Sequence, residues 1–172
     1  MKTLRLFAPA LLAWSAPLLA SAQLNFVDIA HTNNGSTAQA LAISGNYAYL
    51  AAGTNGLLVY DISHPTNPVN IGHFVTNFDL EISTYAVVVS GNYVYETTMS
   101  PEGGGLYVFD VSNPAAPANI FHTNLNIFGG IAVSGTNLYL GGDSRLPDFG
   151  ISNPAAPTLI TNEIEATAVR KA

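Results

Sequence analysis

GLLVYDISHPTNP, at positions 56–68, is the segment that indicates the architecture of this chain most clearly. It returns as GLYVFDVSNPAAP at 105–117 and, in a more divergent form, as RLPDFGISNPAAP at 145–157. Recurrence of one segment at a near-constant spacing is the signature of a repeat architecture, and it outweighs any local prediction of secondary structure. The chain is therefore interpreted as an array of similar units.

Each unit is predicted to form four short strands. In the first unit, the apolar run 40–44 and the strand 47–52 flank Gly45-Asn46, a hairpin signal because the central residues of such a turn need positive φ. Segments 57–62 and 69–74 follow as the third and fourth strands, with prolines in the loop between them. The same order predicts strands at 85–90, 93–98, 106–111 and 118–123, then at 130–134, 137–141 and 159–163. Pro147 is expected to break the third strand of the last unit, where Gly150 replaces the aspartate.

The spacing of the units identifies their type. Ser44, Ser90 and Ser134 lie 46 and 44 residues apart, and four strands in about 45 residues is the period of a propeller blade. The predicted fold is all-β, a β-propeller-like array of four-stranded antiparallel blades, with three blades and a partial blade at each end. The units are expected at about 38–75, 84–123 and 129–163, inside a repeat domain spanning 23–172, with partial strands at 24–31 and 164–170.

The first 22 residues have the pattern of a secretory signal peptide. Lys2 and Arg5 precede an apolar run, and Ala20-Ser21-Ala22 is a small-residue cleavage site, so Gln23 is the expected mature N-terminus. The chain has no cysteine, and an exported protein without cysteine is held together by packing alone. A secreted, periplasmic or cell-surface location follows as an expectation.

The charge of the chain argues against nucleic-acid partners. Only 9% of the residues are charged and the net charge is −6, whereas phosphate binding needs clustered lysine and arginine. No mature segment has the length of a membrane span.

The combination SGNYxY followed by GLxVxDxSxPxxP resembles the LVIVD repeat family, whose members are exported or surface proteins, mostly bacterial. The match is specific at 44–49 with 56–68 and at 90–95 with 105–117; the third unit keeps Ser134-Gly135, Tyr139 and Ser152-Asn153-Pro154 but lacks the aspartate. The resemblance implies a propeller-like fold, and it implies no catalytic residues, because the family pattern is structural.

Residues of the repeated loop are predicted to be structural. Asp61 and Asp110 end their strands, and a carboxylate there accepts backbone N–H bonds in the following turn. One carboxylate per unit is too few for calcium, which takes six or more oxygens. The structural turn residues are thus Asp61, Asp110, Pro65, Pro114 and Pro154.

Three further groups of residues are candidates for binding or chemistry. His31, His73 and His122 recur in fourth strands, but outermost strands of successive blades diverge, so no zinc site is expected. A repeated tyrosine stripe is either a platform for a carbohydrate or peptide, or blade-to-blade packing. Glu81, Glu96 and Glu102 are a weak signal for glycoside hydrolysis, because nothing fixes their separation. The stripe consists of Tyr47, Tyr49, Tyr93, Tyr95 and Tyr139.

These patterns favour a non-enzymatic exported module that binds a protein or a surface glycan, with no catalytic residues, no cofactor and no metal. Self-association is expected, because an arc of three blades leaves its end faces and edges bare. The alternative is a hydrolase or lyase with a site in loops at one mouth of the propeller. A piece of a once longer propeller also fits the divergent third unit.

Overall fold

The computed structural model describes residues 35–75, 82–101, 104–125, 129–142 and 146–161. These residues form twelve strands in three four-stranded antiparallel sheets, and no helix among them could cross a membrane. Sheet 1 contains β1–β4, sheet 2 contains β5–β8 and sheet 3 contains β9–β12, each in sequence order. The all-β prediction is confirmed. The strands are β1 Ala40–Ser44, β2 Tyr47–Ala51, β3 Leu57–Asp61, β4 Val69–Phe74, β5 Ser83–Ser90, β6 Tyr93–Met99, β7 Gly105–Asp110, β8 Ala118–Asn124, β9 Ile131–Ser134, β10 Asn137–Leu140, β11 Asp148–Gly150 and β12 Thr158–Thr161.

Glycine sets the first turn of every sheet. Gly45, Gly91 and Gly135 have φ of 55°, 57° and 60°, a conformation that favours glycine. Each opens a two-residue turn, so that Ser44 pairs with Tyr47 and the equivalent residues pair in the other sheets. The hairpins predicted from the Gly-Asn and Gly-Thr pairs are present in all three units.

The loop between the third and fourth strands also repeats in detail. Asn67 N donates to His64 O at 2.8 Å, Ala116 N to Asn113 O at 2.9 Å, and Ala156 N to Asn153 O at 3.0 Å. A proline occupies the second position of each of these turns, where its fixed φ suits a type I turn. The repeated proline motif therefore encodes the same tight turn three times.

The three sheets stack face to face, which gives the propeller-like arrangement. We call the face of a sheet that looks toward the next sheet in sequence its forward face, and the opposite one its backward face. The forward face of sheet 1, with Leu57 and Val59, packs against the backward face of sheet 2, with Val94 and Phe109. Phe74 meets Phe109 edge to face across this junction, with ring centroids 5.0 Å apart.

The second junction repeats the first. The forward face of sheet 2, with Leu106 and Val108, packs against the backward face of sheet 3, with Leu138 and Phe149. Alternation of side chains along each strand supplies both faces of sheet 2, so the middle sheet is apolar on both sides.

The third unit departs from the others at its third strand. β11 has only three residues, after Pro147, and Gly150 pairs with Asn137 where Asp61 pairs with Tyr47. Strand ends elsewhere coincide with the predicted ones or differ from them by one or two residues. Only β5 begins two residues early, at Ser83, where a bulge interrupts its pairing with β6. The predicted signal peptide 1–22 and the partial strands 24–31 and 164–170 lie outside the described residues.

Candidate functional site

The loop aspartates bond to their own turns. Asp61 Oδ1 accepts the backbone N–H of Ser63 at 2.8 Å, and Asp110 Oδ1 accepts that of Ser112 at 2.8 Å. Side-chain and backbone hydrogen bonds from Ser63 lower the pKa of Asp61, and backbone and side-chain bonds from Ser112 lower the pKa of Asp110. Both carboxylates are therefore engaged within their own loops.

The proline loop of one unit also touches the preceding sheet. A Cβ added to Gly72 in β4 would overlap the carbonyl oxygen of Pro114 and lie 3.2 Å from Cδ of Pro117. Pro114 is half-buried by this contact, whereas Pro65, in the first unit, is exposed. The loop thus acts as a spacer between successive blades.

The repeated histidines are not gathered into one site. His73 Nε2 lies 2.9 Å from the carbonyl oxygen of Asn55, and His122 stacks on Tyr107 with ring centroids 5.6 Å apart. They lie in different sheets, and His31 is outside the described residues. Over the described ranges, no three histidine, aspartate or glutamate side chains are grouped as metal ligands would be.

The tyrosine stripe does not form one surface. Tyr49 lies buried between sheets 1 and 2, and Tyr95 lies buried between sheets 2 and 3. Burial is the main cause that raises the pKa of each of these tyrosines. Neither ring has a free face, so the platform interpretation is wrong for Tyr49 and Tyr95. Tyr47 and Tyr93 are half-buried on the same two forward faces, and Tyr139 is half-buried on the forward face of sheet 3.

Buried polar side chains are concentrated instead at one end of sheet 2. Four of the described polar residues are buried there: Thr84, Glu96, Thr97 and Thr98. Thr84 Oγ1 donates to Gly53 O at 3.2 Å, which links sheet 2 to sheet 1. Thr97 Oγ1 donates to Gly129 O at 3.0 Å, which links sheet 2 to the start of the third unit.

Glu96 differs from the three threonines. Its side chain is 0% exposed, and neither carboxylate oxygen has a hydrogen-bond partner among the described residues. Burial raises the pKa of Glu96 well above its ordinary value, and the neighbouring Thr84 side chain only partly offsets this. A buried carboxyl without partners is costly unless it is neutral.

The sheet register places Glu96 in a row of ionisable side chains. Glu96 pairs with Tyr107, and Tyr107 pairs with His122, so the three share the backward face of sheet 2. Glu96 is buried, Tyr107 is half-buried and His122 is exposed, so the row runs from the interior to the surface. Burial and then the nearby Glu96 charge raise the pKa of Tyr107.

This row is special to the second unit. Leu50 and Leu140 occupy the strand position of Glu96, and Leu58 occupies that of Tyr107. Sequence reasoning missed the row because it weighed Glu96 only beside Glu81 and Glu102, which lie outside the described residues. Aligning the three units on their hairpin turns would have revealed a glutamate at a leucine position.

Comparison with known proteins agrees with the geometry. The class defined by the three stacked four-stranded sheets is the propeller-like repeat proteins. The LVIVD repeat model matches residues 35–76, 83–124 and 129–162, which together exceed half of the chain. The protein belongs to the LVIVD repeat family, as the sequence motifs indicated. No curated protein matches the chain.

Two solved structures are similar in fold. The computationally designed Ika4 protein is 15% identical with a TM-score of 0.56, and the match covers 82% of this chain and 81% of that one. The computationally designed Ika8 protein is 14% identical with a TM-score of 0.56, and the match covers 72% of this chain. This chain spans about a third, 36%, of the Ika8 chain. At such low identity these likenesses concern the fold alone.

Proposed function

We propose that this protein is an exported, non-enzymatic scaffold that binds protein through the outward faces of its first and last sheets, and that its first partner is a second copy of itself. One observation carries the proposal: several side chains at repeat positions that are buried between sheets are exposed at the two ends of the array.

On the forward face of sheet 3, side chains are exposed at positions that are buried in the other two units. Leu57 and Leu106 are fully buried at one repeat position, but their equivalent in the third unit, Leu146, is 37% exposed. At another position, Ile71 and Ile120 pack into the two junctions, whereas Ile160 is 53% exposed. Tyr139 lies on this same face.

On the backward face of sheet 1, side chains of β1 are exposed at positions that are packed in sheet 2. Val87 and Val89 of β5 pack against sheet 1, but the equivalent Leu41 and Ile43 of β1 are 56% and 59% exposed. The neighbouring part of that face, over β2 and β3, is already buried around Leu58 and Tyr60. The exposed part of this face is therefore β1, the inner strand of sheet 1.

The internal junctions indicate how two copies would meet. Within the chain, a forward face always packs on the backward face of the next sheet. The same rule brings the forward face of sheet 3 in one copy to the exposed strand β1 on the backward face of sheet 1 in another, a head-to-tail contact. The described sheets of two copies make six blades, a number within the four to eight blades of closed propellers.

Protein is a better ligand than glycan for these surfaces. Exposed leucine and isoleucine side chains favour a protein partner, and two of the five stripe tyrosines are buried away from any sugar. Of the three glutamates considered for a hydrolase or lyase with a site in loops at one mouth of the propeller, Glu96 is closed off from solvent, and Glu81 and Glu102 lie outside the described residues. Export rests on the pattern of residues 1–22.

Light scattering after size-exclusion chromatography tests the proposal. We expect the purified protein to have twice the mass of one chain and to dissociate on dilution. Ile43→Asn and Ile160→Asn should each shift the equilibrium toward the single chain. Val69→Asn is the matched control, because Val69 is 48% exposed but lies at the start of an outer strand. A single-chain mass at every concentration, or equal effects of all three substitutions, would overturn the proposal.

A further inference from the structure

Glu96 lies in the junction between sheets 1 and 2, among apolar side chains. Its register partner Val87 and its strand neighbour Val94 belong to the core that these two sheets share. No lysine or arginine occurs in the described ranges, so no such cation there can neutralise a carboxylate. A charged Glu96 would therefore be buried without compensation.

The hydrogen bonds around Glu96 also favour its neutral form. The Thr84 hydroxyl has one proton, which it directs to the carbonyl oxygens of Gly53 at 3.2 Å and Gly56 at 3.4 Å. With its proton directed to these carbonyls, the Thr84 hydroxyl donates no bond to Glu96, and neither carboxylate oxygen has a partner among the described residues. A buried carboxylate without donors costs more free energy than a neutral carboxylic acid at the same place.

A metal ion in place of the proton does not fit this junction. Gly53 O already accepts bonds from Thr84 N at 3.0 Å, from Thr84 Oγ1 and from Gly56 N at 3.1 Å. Its lone pairs are committed, and Glu96 is the single carboxylate at this end of the junction among the described residues. Hard cations need more oxygen ligands than remain.

We propose that Glu96 is a neutral carboxylic acid in the folded protein, and that its ionisation at higher pH loosens the junction between sheets 1 and 2. The second unit holds a glutamate where the other units hold leucine, so the fold itself does not require it. The glutamate makes this one junction sensitive to pH, while the junction between sheets 2 and 3 has leucine at the equivalent place.

Other ionisable groups face the same junction. Tyr107 and His122 share the backward face of sheet 2 with Glu96. From sheet 1, the forward face contributes Tyr47, Tyr49 and Asp61, of which Asp61 lies at the far end beside the Gly45 hairpin. Asp61 has a lowered pKa, so its contribution to stability is lost as pH falls, whereas that of Glu96 is lost as pH rises. The Asp61 effect also lies at more acidic pH.

The sign of the effect follows from linkage. Burial raises the pKa of Glu96 above 4.5, so between that pH and the folded-state pKa the folded protein holds a proton that the unfolded chain has released. The stabilisation is complete below pH 4.5 and is lost as pH rises through the folded-state value. Within this window the folding equilibrium constant should fall about tenfold per pH unit.

Denaturant unfolding between pH 5 and pH 8 on the whole protein tests the proposal. Glu96→Gln and Glu96→Leu should both remove the tenfold slope, and the leucine variant places the residue of the other two units at this site. His122→Gln is the control and should keep the slope. A Glu96→Gln variant with the wild-type slope, or a wild type without a slope, would overturn the proposal.

Hydrogen exchange distinguishes local loosening from general destabilisation. The Thr84 amide, bonded to Gly53 O at 3.0 Å, reports on the junction, and the Ile151 amide, bonded to Thr136 O at 2.8 Å, reports on sheet 3. After correction for intrinsic exchange, protection of Thr84 should fall with rising pH in the wild type and not in Glu96→Gln. Equal losses at both amides would contradict local loosening.

Discussion

At the scale of single residues, the positions that depart from the repeat indicate features that are specific to one unit and that the repeat pattern alone does not predict. Glu96, at a leucine position, and Asp148, at the position of Val59 and Val108, are the clearest departures. The sequence could predict the bond from an aspartate to its own turn, because that contact spans two residues. It could not predict the burial of Glu96, because which sheet covers a strand face is decided by contacts distant in sequence.

Asp110 provides a prediction at this scale. Asp110→Ala should lower the melting temperature at pH 7, because the turn loses its acceptor for Ser112 N. The bonds lower the pKa of Asp110 below 3.8, so this stabilisation is present above that pH and disappears as pH falls through the folded-state value. The difference between wild type and variant should therefore vanish in acid.

Asp110→Asn is the control for this experiment, since its amide oxygen can still accept the bond. Melts are run with calcium and with chelator, and the two should coincide for every variant. A calcium-dependent rise in the wild type that disappears in Asp110→Ala would show that the loop is a metal site.

At the scale of strands and loops, local sequence predicts structure wherever a turn needs a special residue. The Gly-Asn and Gly-Thr hairpins and the proline turns fall where the motifs place them, because positive φ and a fixed proline φ leave few alternatives. The bulges were not predictable in this way. Each sheet has one between its third and fourth strands, for example at Val59/Tyr60, where no turn residue marks the extra residue.

Substitution of Gly72 tests the contact between β4 and the proline loop of the second unit. Gly72→Ala should destabilise the protein by about 1–3 kcal/mol, because the new Cβ meets the backbone of Pro114, which cannot swing aside like a side-chain end. Gly130→Ala is the matched control, since nothing lies within 4 Å of its added Cβ and its φ is not positive. Urea unfolding measures both, and equal stabilities would show that the loop does not space the blades.

At the scale of the whole molecule, three stacked sheets leave one forward and one backward face without a neighbouring sheet among the described residues. The two outward faces are not equally apolar. The forward face of sheet 3 combines Leu146 and Ile160 with Asn137 and Asp148, so it is mixed rather than apolar. Terminal units of repeat proteins are commonly more polar on the outside, and a mixed face suits an association that can dissociate.

Cross-linking between single-cysteine copies shows whether two molecules repeat the stacking seen between sheets within the chain. The chain has no cysteine, so Ile43→Cys on β1 and Ala132→Cys on β9 each introduce one exposed thiol. Inner strands β1 and β5 are neighbours, as are β5 and β9, so a head-to-tail contact brings β9 of one copy to β1 of the next. A bis-maleimide spanning about 10 Å, the usual spacing of stacked sheets, is added to each variant and to their mixture. A head-to-tail pair should give a linked product in the mixture and little in either variant alone. No linked pair in the mixture, or equal linking within one variant, would contradict it.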